Sequence, residues 1–218
     1  AVPGVRLVMT ADDLPQPVPR FGPQYQDRPV LAVGETKFHG EPVAAVAADS
    51  KDAAEEAARL VRVEYEELSG VYTVDQATAA DAPLVREPEL RPADDPHRES
   101  NVLSTRVFGW GDVDAAEADL IIDESYRFPM VTHFAIEPHA FAAAPVEDGI
   151  AIWSTIQHPY LLQKLMAKLL DMPLAKVRVY APDPGGGFGG KQNITLEPLV
   201  ALMALETGRP VRLVLTLD

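Results

Sequence analysis

Runs of alternating or continuous apolar residues, separated by proline- and glycine-rich breaks, predict short strands interleaved with a few helices along this chain. Arg6-Leu7-Val8-Met9 reads as a strand, and Thr10 is placed to cap a single helical turn ending at Leu14. Pro15, Pro17, Pro19, Pro23 and Pro29 make residues 15–30 an extended loop, because each fixes φ and removes an amide donor. Pro42 to Ala47 is an apolar run of strand length. Ser50 then caps a helix in which Ala53, Ala54, Ala57, Ala58 and Val61 share a face, while Glu55 and Arg59 stand at pairing distance on the other. Val61 to Glu66 alternates apolar and charged residues and completes a strand–helix–strand unit, with Glu64 and Glu66 on its solvated face.

Residues 81–101 read as a linker, with Pro83, Pro88, Pro92 and Pro96 among acids and arginines and with Asp94-Asp95 as solubilising carboxylates. Beyond it, Val102 to Phe108 and Leu120 to Phe128 predict strands around a brief helical stretch at Asp112 to Ala116. Met130 to Ala144 and Ile150 to Thr155 continue the β pattern. Pro159 opens a helix through Leu170. Leu161, Leu165 and Leu169 form one apolar row, Leu162, Met166 and Leu170 the next, and Lys164 and Lys168 face water. Val177 to Ala181 is a strand. Leu196 to Glu206 is apolar on nearly every side and therefore predicts a buried helix, stopped by Gly208 and Pro210 before a last strand from Val211 to Leu217. No internal repeat is present.

Composition changes this picture only by exclusion. A chain of 218 residues can bury a sizeable core as one large or two small domains. No apolar run is long enough to span a bilayer. The formal charge of −14 argues against nucleic acid or an anionic membrane as partner. With no cysteine, there can be no disulfide, thiolate zinc site, cysteine nucleophile or iron–sulfur ligand in the chain. The five histidines lack the spacing of a helical zinc motif, so no protein-ligated metal is expected. No targeting signal is seen at the first residues, and a cytoplasmic location is the corresponding expectation.

The candidate chemistry concentrates in Gly185-Gly186-Gly187-Phe188-Gly189-Gly190-Lys191-Gln192. Five glycines in six residues free the backbone to take positive φ and to bring its amides against a ligand, which points to an anionic cofactor. Gly185, Gly187 and Gly190 fit a dinucleotide-binding pattern, but Pro182-Asp183-Pro184 separates them from the preceding strand and the following helix starts late. Gly185, Gly190 and Lys191 nearly fit a phosphate-cradling loop, which fails at Gln192, where a hydroxyl is required. A mobile loop without ligand is the bland alternative. Gln157 ends a strand just before a proline-initiated helix, where its carboxamide can project into a cleft or cap the helix. His133 and Glu137 alternate onto one face of their segment, as a structural or a catalytic pair.

The glycine run together with Ser154-Thr155-Ile156-Gln157-His158-Pro159 resembles the molybdopterin-binding subunit of the xanthine dehydrogenase and aldehyde oxidase family of molybdenum hydroxylases. Phe38 to Val46, His133-Phe134-Ala135-Ile136-Glu137-Pro138 and Thr207-Gly208-Arg209-Pro210-Val211 stand in the family's order, so the resemblance covers most of the chain. It implies an α+β fold: an α/β hammerhead-like domain at 1–80, lacking its first strand, the linker at 81–101, and at 102–218 the opening part of a cofactor-binding domain. It also implies a pterin that carries the molybdenum without protein ligands, in a form that includes the cytosine dinucleotide as one option.

By that resemblance Gln157 hydrogen-bonds an oxygen on the metal. Gly186, Gly187, Phe188, Gly189 and Gly190 bind the cofactor, and Phe188 also lies beside the substrate. An aldehyde or N-heterocycle is oxidised with oxygen derived from water, and electrons leave through iron–sulfur clusters to flavin on other chains or domains. Purine-oxidising members carry glutamate after the Gly-Gly-Lys; here Gln192 occupies that substrate-side position, which argues against a purine. The family's general base falls beyond residue 218, so the chain alone is expected to be inactive and the rest of the subunit to be its partner. A carbon monoxide dehydrogenase-like member and a non-catalytic scaffold of the same fold are the alternatives.

Overall fold

The computed structural model describes residues 2–112, 115 and 117–216. The helical stretch expected at Asp112 to Ala116 and the end of the last strand at Leu217 fall at least partly outside them. The chain forms two compact units, one from residues 1–68 with 133–218 and the other from residues 69–132.

In the first unit, β1 (Val5–Met9) pairs antiparallel with β4 (Ala45–Ala48), and the proline-rich loop between them closes on itself through the two-residue strands β2 (Arg20–Phe21) and β3 (Arg28–Pro29). Helix α1 (Lys51–Leu60) starts where Ser50 accepts a hydrogen bond from the Ala53 amide, and Glu55 lies between Lys51 and Arg59 on its outer face. The strand expected at Val61 to Glu66 does not form. Residues 61–68 are exposed, apolar Val63, Tyr65 and Leu68 included. Alternation specifies which face a strand shows, but a strand also needs a neighbouring edge, and none is supplied to this segment among the described residues.

The larger sheet has the order β7-β6-β5-β8. β5 (Ala140–Val146) and β6 (Gly149–Ser154) form a hairpin through Glu147-Asp148, β7 (Val177–Tyr180) runs parallel to β6, and β8 (Val211–Val214) pairs antiparallel with β5. The crossover from β6 to β7 is α3 (Pro159–Leu169), with the proline at its first position as expected. Its core face is Leu162, Met166 and Ala167; Leu161, expected in an apolar row, is exposed. Helix α4 (Glu197–Thr207) is buried from Glu197 to Ala204 and packs on β5, β6, β8 and β1, so one apolar cylinder joins the four-stranded sheet to the β1-β4 pair. Gly208 ends it at φ 63°, where the Gly208 and Arg209 amides donate to Leu205 and Ala204. Asp49, after β4, accepts from both Arg6 and Arg209.

The second unit holds α2 (Val74–Thr78) and is organised by two polar side chains. Buried Arg91 pairs with Asp95 and donates to the carbonyls of Ser100, Val102 and Leu103. Asp95, read as a solubilising carboxylate, is therefore an internal partner. Asn101 donates to Ala77 and Pro83 and accepts from the Val85 amide. The strands expected at Val102 to Phe108 and Leu120 to Phe128 have no ladder among the described residues, and apolar side chains of both stand in solvent, Phe108 at 81% and Phe128 at 87% exposure.

Candidate functional site

Strand β6 delivers Gln157 to the glycine run. The sheet core holds Ile150 and Ile152, buried Ser154, Thr155 and Ile156 follow, and Gln157 is half-buried where the chain turns into α3. Its amide donates to the Lys191 carbonyl at 2.8 Å. Its side-chain oxygen accepts from the amides of Gly189 and Lys191, each at 3.2 Å. Gln157 does not cap α3: the cap position is His158, without a side-chain hydrogen bond. The carboxamide nitrogen makes no hydrogen bond within the described chain, so its donors remain available.

The run needs its glycines for two reasons. Gly186 and Gly189 lie at φ 104° and 90°, which side chains rarely adopt, and a methyl group on Gly187 would come within 2.7 Å of the Gln157 carboxamide. Phe188 itself takes φ 50° and is 74% exposed. A bulky residue held there stores strain, and its ring stands in solvent rather than in the core. The amides of Gly186, Gly187 and Phe188 have no acceptor among the described hydrogen bonds, whereas those of Gly185, Gly189, Gly190 and Lys191 are all used. Gln192 is exposed, and its amide donates to the Gly189 carbonyl at 3.3 Å.

Residues 133–137 run along the other side of this loop. A methyl on Gly190 would meet the His133 ring at 3.0 Å, one on Gly186 would touch Ala135, and one on Gly185 would meet Glu137 at 2.8 Å. Every second residue thus faces the glycines, and the expected alternation of His133 and Glu137 holds. The two do not pair with each other. Glu137 accepts from the Gly185 amide at 2.8 Å and from Lys191 Nζ at 2.6 Å. Its carboxyl is held below the ordinary carboxylate range, chiefly by the Lys191 hydrogen bond and further by the Gly185 amide, with burial opposing. Lys191 is therefore committed to a carboxylate and is not a phosphate ligand of the nucleotide-loop kind.

Two supporting residues escaped the sequence reading. Glu197, buried at the first position of α4, accepts from Ser154 Oγ at 2.7 Å and from the Thr195 amide at 2.8 Å, tying the start of α4 to the end of β6. The signal available for it was a lone acid followed by Pro198 at the mouth of an otherwise apolar helix. His139, stacked on Phe141 at 6.0 Å, has a lowered pKa because of burial and, secondarily, of Lys191, with Glu197 opposing.

The arrangement suits an anionic, uncharged-donor-seeking group: three unused amides on a turn of small residues, a carboxamide with free donors, and an exposed aromatic ring. No cluster of histidine and acidic side chains able to hold a metal occurs among the described residues. The chain is 35% identical over 213 residues to a probable xanthine dehydrogenase subunit of Bacillus subtilis (strain 168), covering 96% of this chain and 27% of that protein. It is 31% identical over 217 residues to the nicotinate dehydrogenase large molybdopterin subunit of Eubacterium barkeri, covering 98% and 48% respectively.

Among solved structures, quinoline 2-oxidoreductase from Pseudomonas putida 86 superposes with a TM-score of 0.82 at 30% identity, over 99% of this chain and 28% of that one. The chain thus spans between about a quarter and a half of these relatives. Residues 1–69 match the aldehyde oxidase and xanthine dehydrogenase a/b hammerhead domain, and residues 95–218 match the molybdopterin cofactor-binding domain. With the second match alone covering more than half of it, the chain belongs to the aldehyde oxidase and xanthine dehydrogenase family of molybdopterin proteins.

Proposed function

We propose that this chain is the part of a molybdenum hydroxylase that carries the loop against which the cofactor is seated, and that the whole protein oxidises an aldehyde or an N-heterocycle. The observation that carries the reading is the pairing of Gln157 with the glycine run: one carboxamide oxygen fixes the loop while the carboxamide nitrogen and three backbone amides stay free as donors. When bound, the molybdenum-pterin group supplies the redox centre at which oxygen from water is transferred to the substrate.

The chain's own residues do the holding and orienting. Gln157 Nε2 would serve as a neutral donor to that group, adding no charge. Gly186, Gly187 and Phe188 present their amides, and Gly189 and Gly190 complete the turn that holds them. The exposed Phe188 ring would lie beside the substrate and exclude water. Gln192, beside it, offers a neutral amide to the substrate, which suits an aldehyde or a non-purine heterocycle. Relatives named for nicotinate and quinoline support the heterocycle.

The reading further assigns residues 1–80 to the hammerhead-like domain and 102–218 to the start of the cofactor domain, joined by 81–101. The remainder of the molybdenum subunit is the immediate partner. The exposed apolar side chains at 107–136, among them Trp110 and Met130, support a larger assembly, since such surface is rarely left in water. Iron–sulfur and flavin groups on other chains or domains receive the electrons, and the cytosine dinucleotide form of the pterin is part of the proposal. No helix among the described residues is long and apolar enough to cross a membrane.

Substituting Gln157 and Phe188 in the intact complex tests the assignment. Loss of oxidase activity with the complex still assembled is the expected result. Unchanged activity in both variants would instead fit a scaffold that keeps the fold and binds no cofactor.

A further inference from the structure

One carboxylate reaches both ends of the glycine run. Glu137 Oε2 accepts from the Gly185 amide at 2.8 Å and from Lys191 Nζ at 2.6 Å, and the Glu137 amide donates to the Gly185 carbonyl at 3.3 Å. Gly185 opens the run and Lys191 closes it, so a single side chain spans the two feet of the loop. Gln157 grips only the far foot, through Gly189 and Lys191. The near foot is held to Glu137 by its amide and its carbonyl.

The energetics favour such a clasp. Glycines lose more backbone freedom on ordering than any other residue, and this run has five of them in six positions. Something outside the run must therefore fix it. Lys191 is buried to 2% side-chain exposure while Glu137 keeps 34%, so the carboxylate caps an ammonium that has been drawn out of water. A buried ammonium whose counter-charge is removed is strongly unfavourable, and it would be expelled together with the chain that carries it.

We propose that Glu137 is the positioning residue of the glycine run, acting through Lys191 and Gly185 to hold the conformation in which the amides of Gly186, Gly187 and Phe188 are left without protein acceptors. The proposal rests on the functional reading above only for the use of those amides. The clasp itself is a property of the chain. The residues that touch the cofactor and substrate are others, and Glu137 acts one step behind them.

The test is amide hydrogen exchange on the intact native complex, comparing the wild type with E137Q and K191R. E137Q keeps the shape of the side chain but removes the counter-charge. Exchange at 185–191 should become about tenfold faster, with β5, β6 and α4 unchanged, because only a local opening is released. K191R keeps the charge but puts a larger, planar guanidinium into a fully buried site, so it should speed the same amides less than E137Q does. In turnover, E137Q should lower kcat and leave KM unchanged. Unaltered exchange at 185–191 in E137Q overturns the proposal, as does acceleration spread equally over β5, β6 and α4. Where E137Q does not accumulate, E137D, shorter by one methylene, is held to the same local pattern. Molybdenum and pterin in the wild type are measured alongside: their absence contradicts the functional reading, while the exchange comparison still decides the clasp.

Discussion

Gln157 and Lys191 are joined twice: the Gln157 amide donates to the Lys191 carbonyl at 2.8 Å, and the Lys191 amide donates to the Gln157 side-chain oxygen at 3.2 Å. The end of β6 is thus tied to the end of the glycine run although 34 positions separate them in sequence. This closure places a carboxamide against the backbone amides and makes the two halves of the site depend on each other.

Q157E and Q157L separate holding from donating. A glutamate still accepts from Gly189 and Lys191 but offers no N–H, so Q157E should keep the loop protected in hydrogen exchange while kcat falls by roughly 10²–10³, the cost of removing a preorganised donor. Q157L should lose both. Equal kcat in wild type and Q157E would show that the carboxamide nitrogen plays no part in turnover.

G187A places a methyl 2.7 Å from the Gln157 carboxamide and must displace it. The expected cost is about 1–3 kcal/mol of stability from overpacking, with activity falling as in Q157L. Thermal unfolding and turnover of the complex read the two effects.

Ser154→Ala removes a donor from buried Glu197 while leaving the packing of β6 nearly unchanged. Unfolding measurements should show a loss of about 1–3 kcal/mol, the usual cost of depriving a buried polar group of a partner. A loss of much less than this would mean that Glu197 finds another donor.

The clasp predicts a pH dependence with a definite sign. The Glu137 carboxyl is depressed, first by the Lys191 hydrogen bond, so its contribution is present above the unfolded-state value and is lost as pH falls through the folded value. Exchange at 185–191, corrected for its intrinsic pH dependence, should be flat from neutrality down to the ordinary carboxylate range and accelerate as pH falls further. In E137Q that acid limb should be missing.

Much of the architecture was legible from local chemistry. Ser50 and Pro159 announced the starts of α1 and α3, Gly208 announced the end of α4, and the all-apolar face of α4 announced its burial, because caps and periodicity act within a few residues. The site was legible in outline for the same reason: a glycine run needs a ligand or a clamp, and Gln157 stands at a strand end. Unread were the relations that only tertiary packing creates. The near fit to a phosphate loop failed at Gln192 and left Lys191 without an assigned partner, which is Glu137, and Glu197 shows no periodicity of its own. The alternating stretches at 61–66, 102–108 and 120–128 announced faces but not partners, and among the described residues they have none.

The central claim is that the loop at 185–190 and the carboxamide of Gln157 seat a molybdenum-bearing pterin. Molybdenum and pterin analysis of the intact, catalytically active native complex tests it most directly. The account predicts both, in equal amount and close to one per copy of this chain, and a marked loss of both in Q157L. An active preparation containing neither would contradict it.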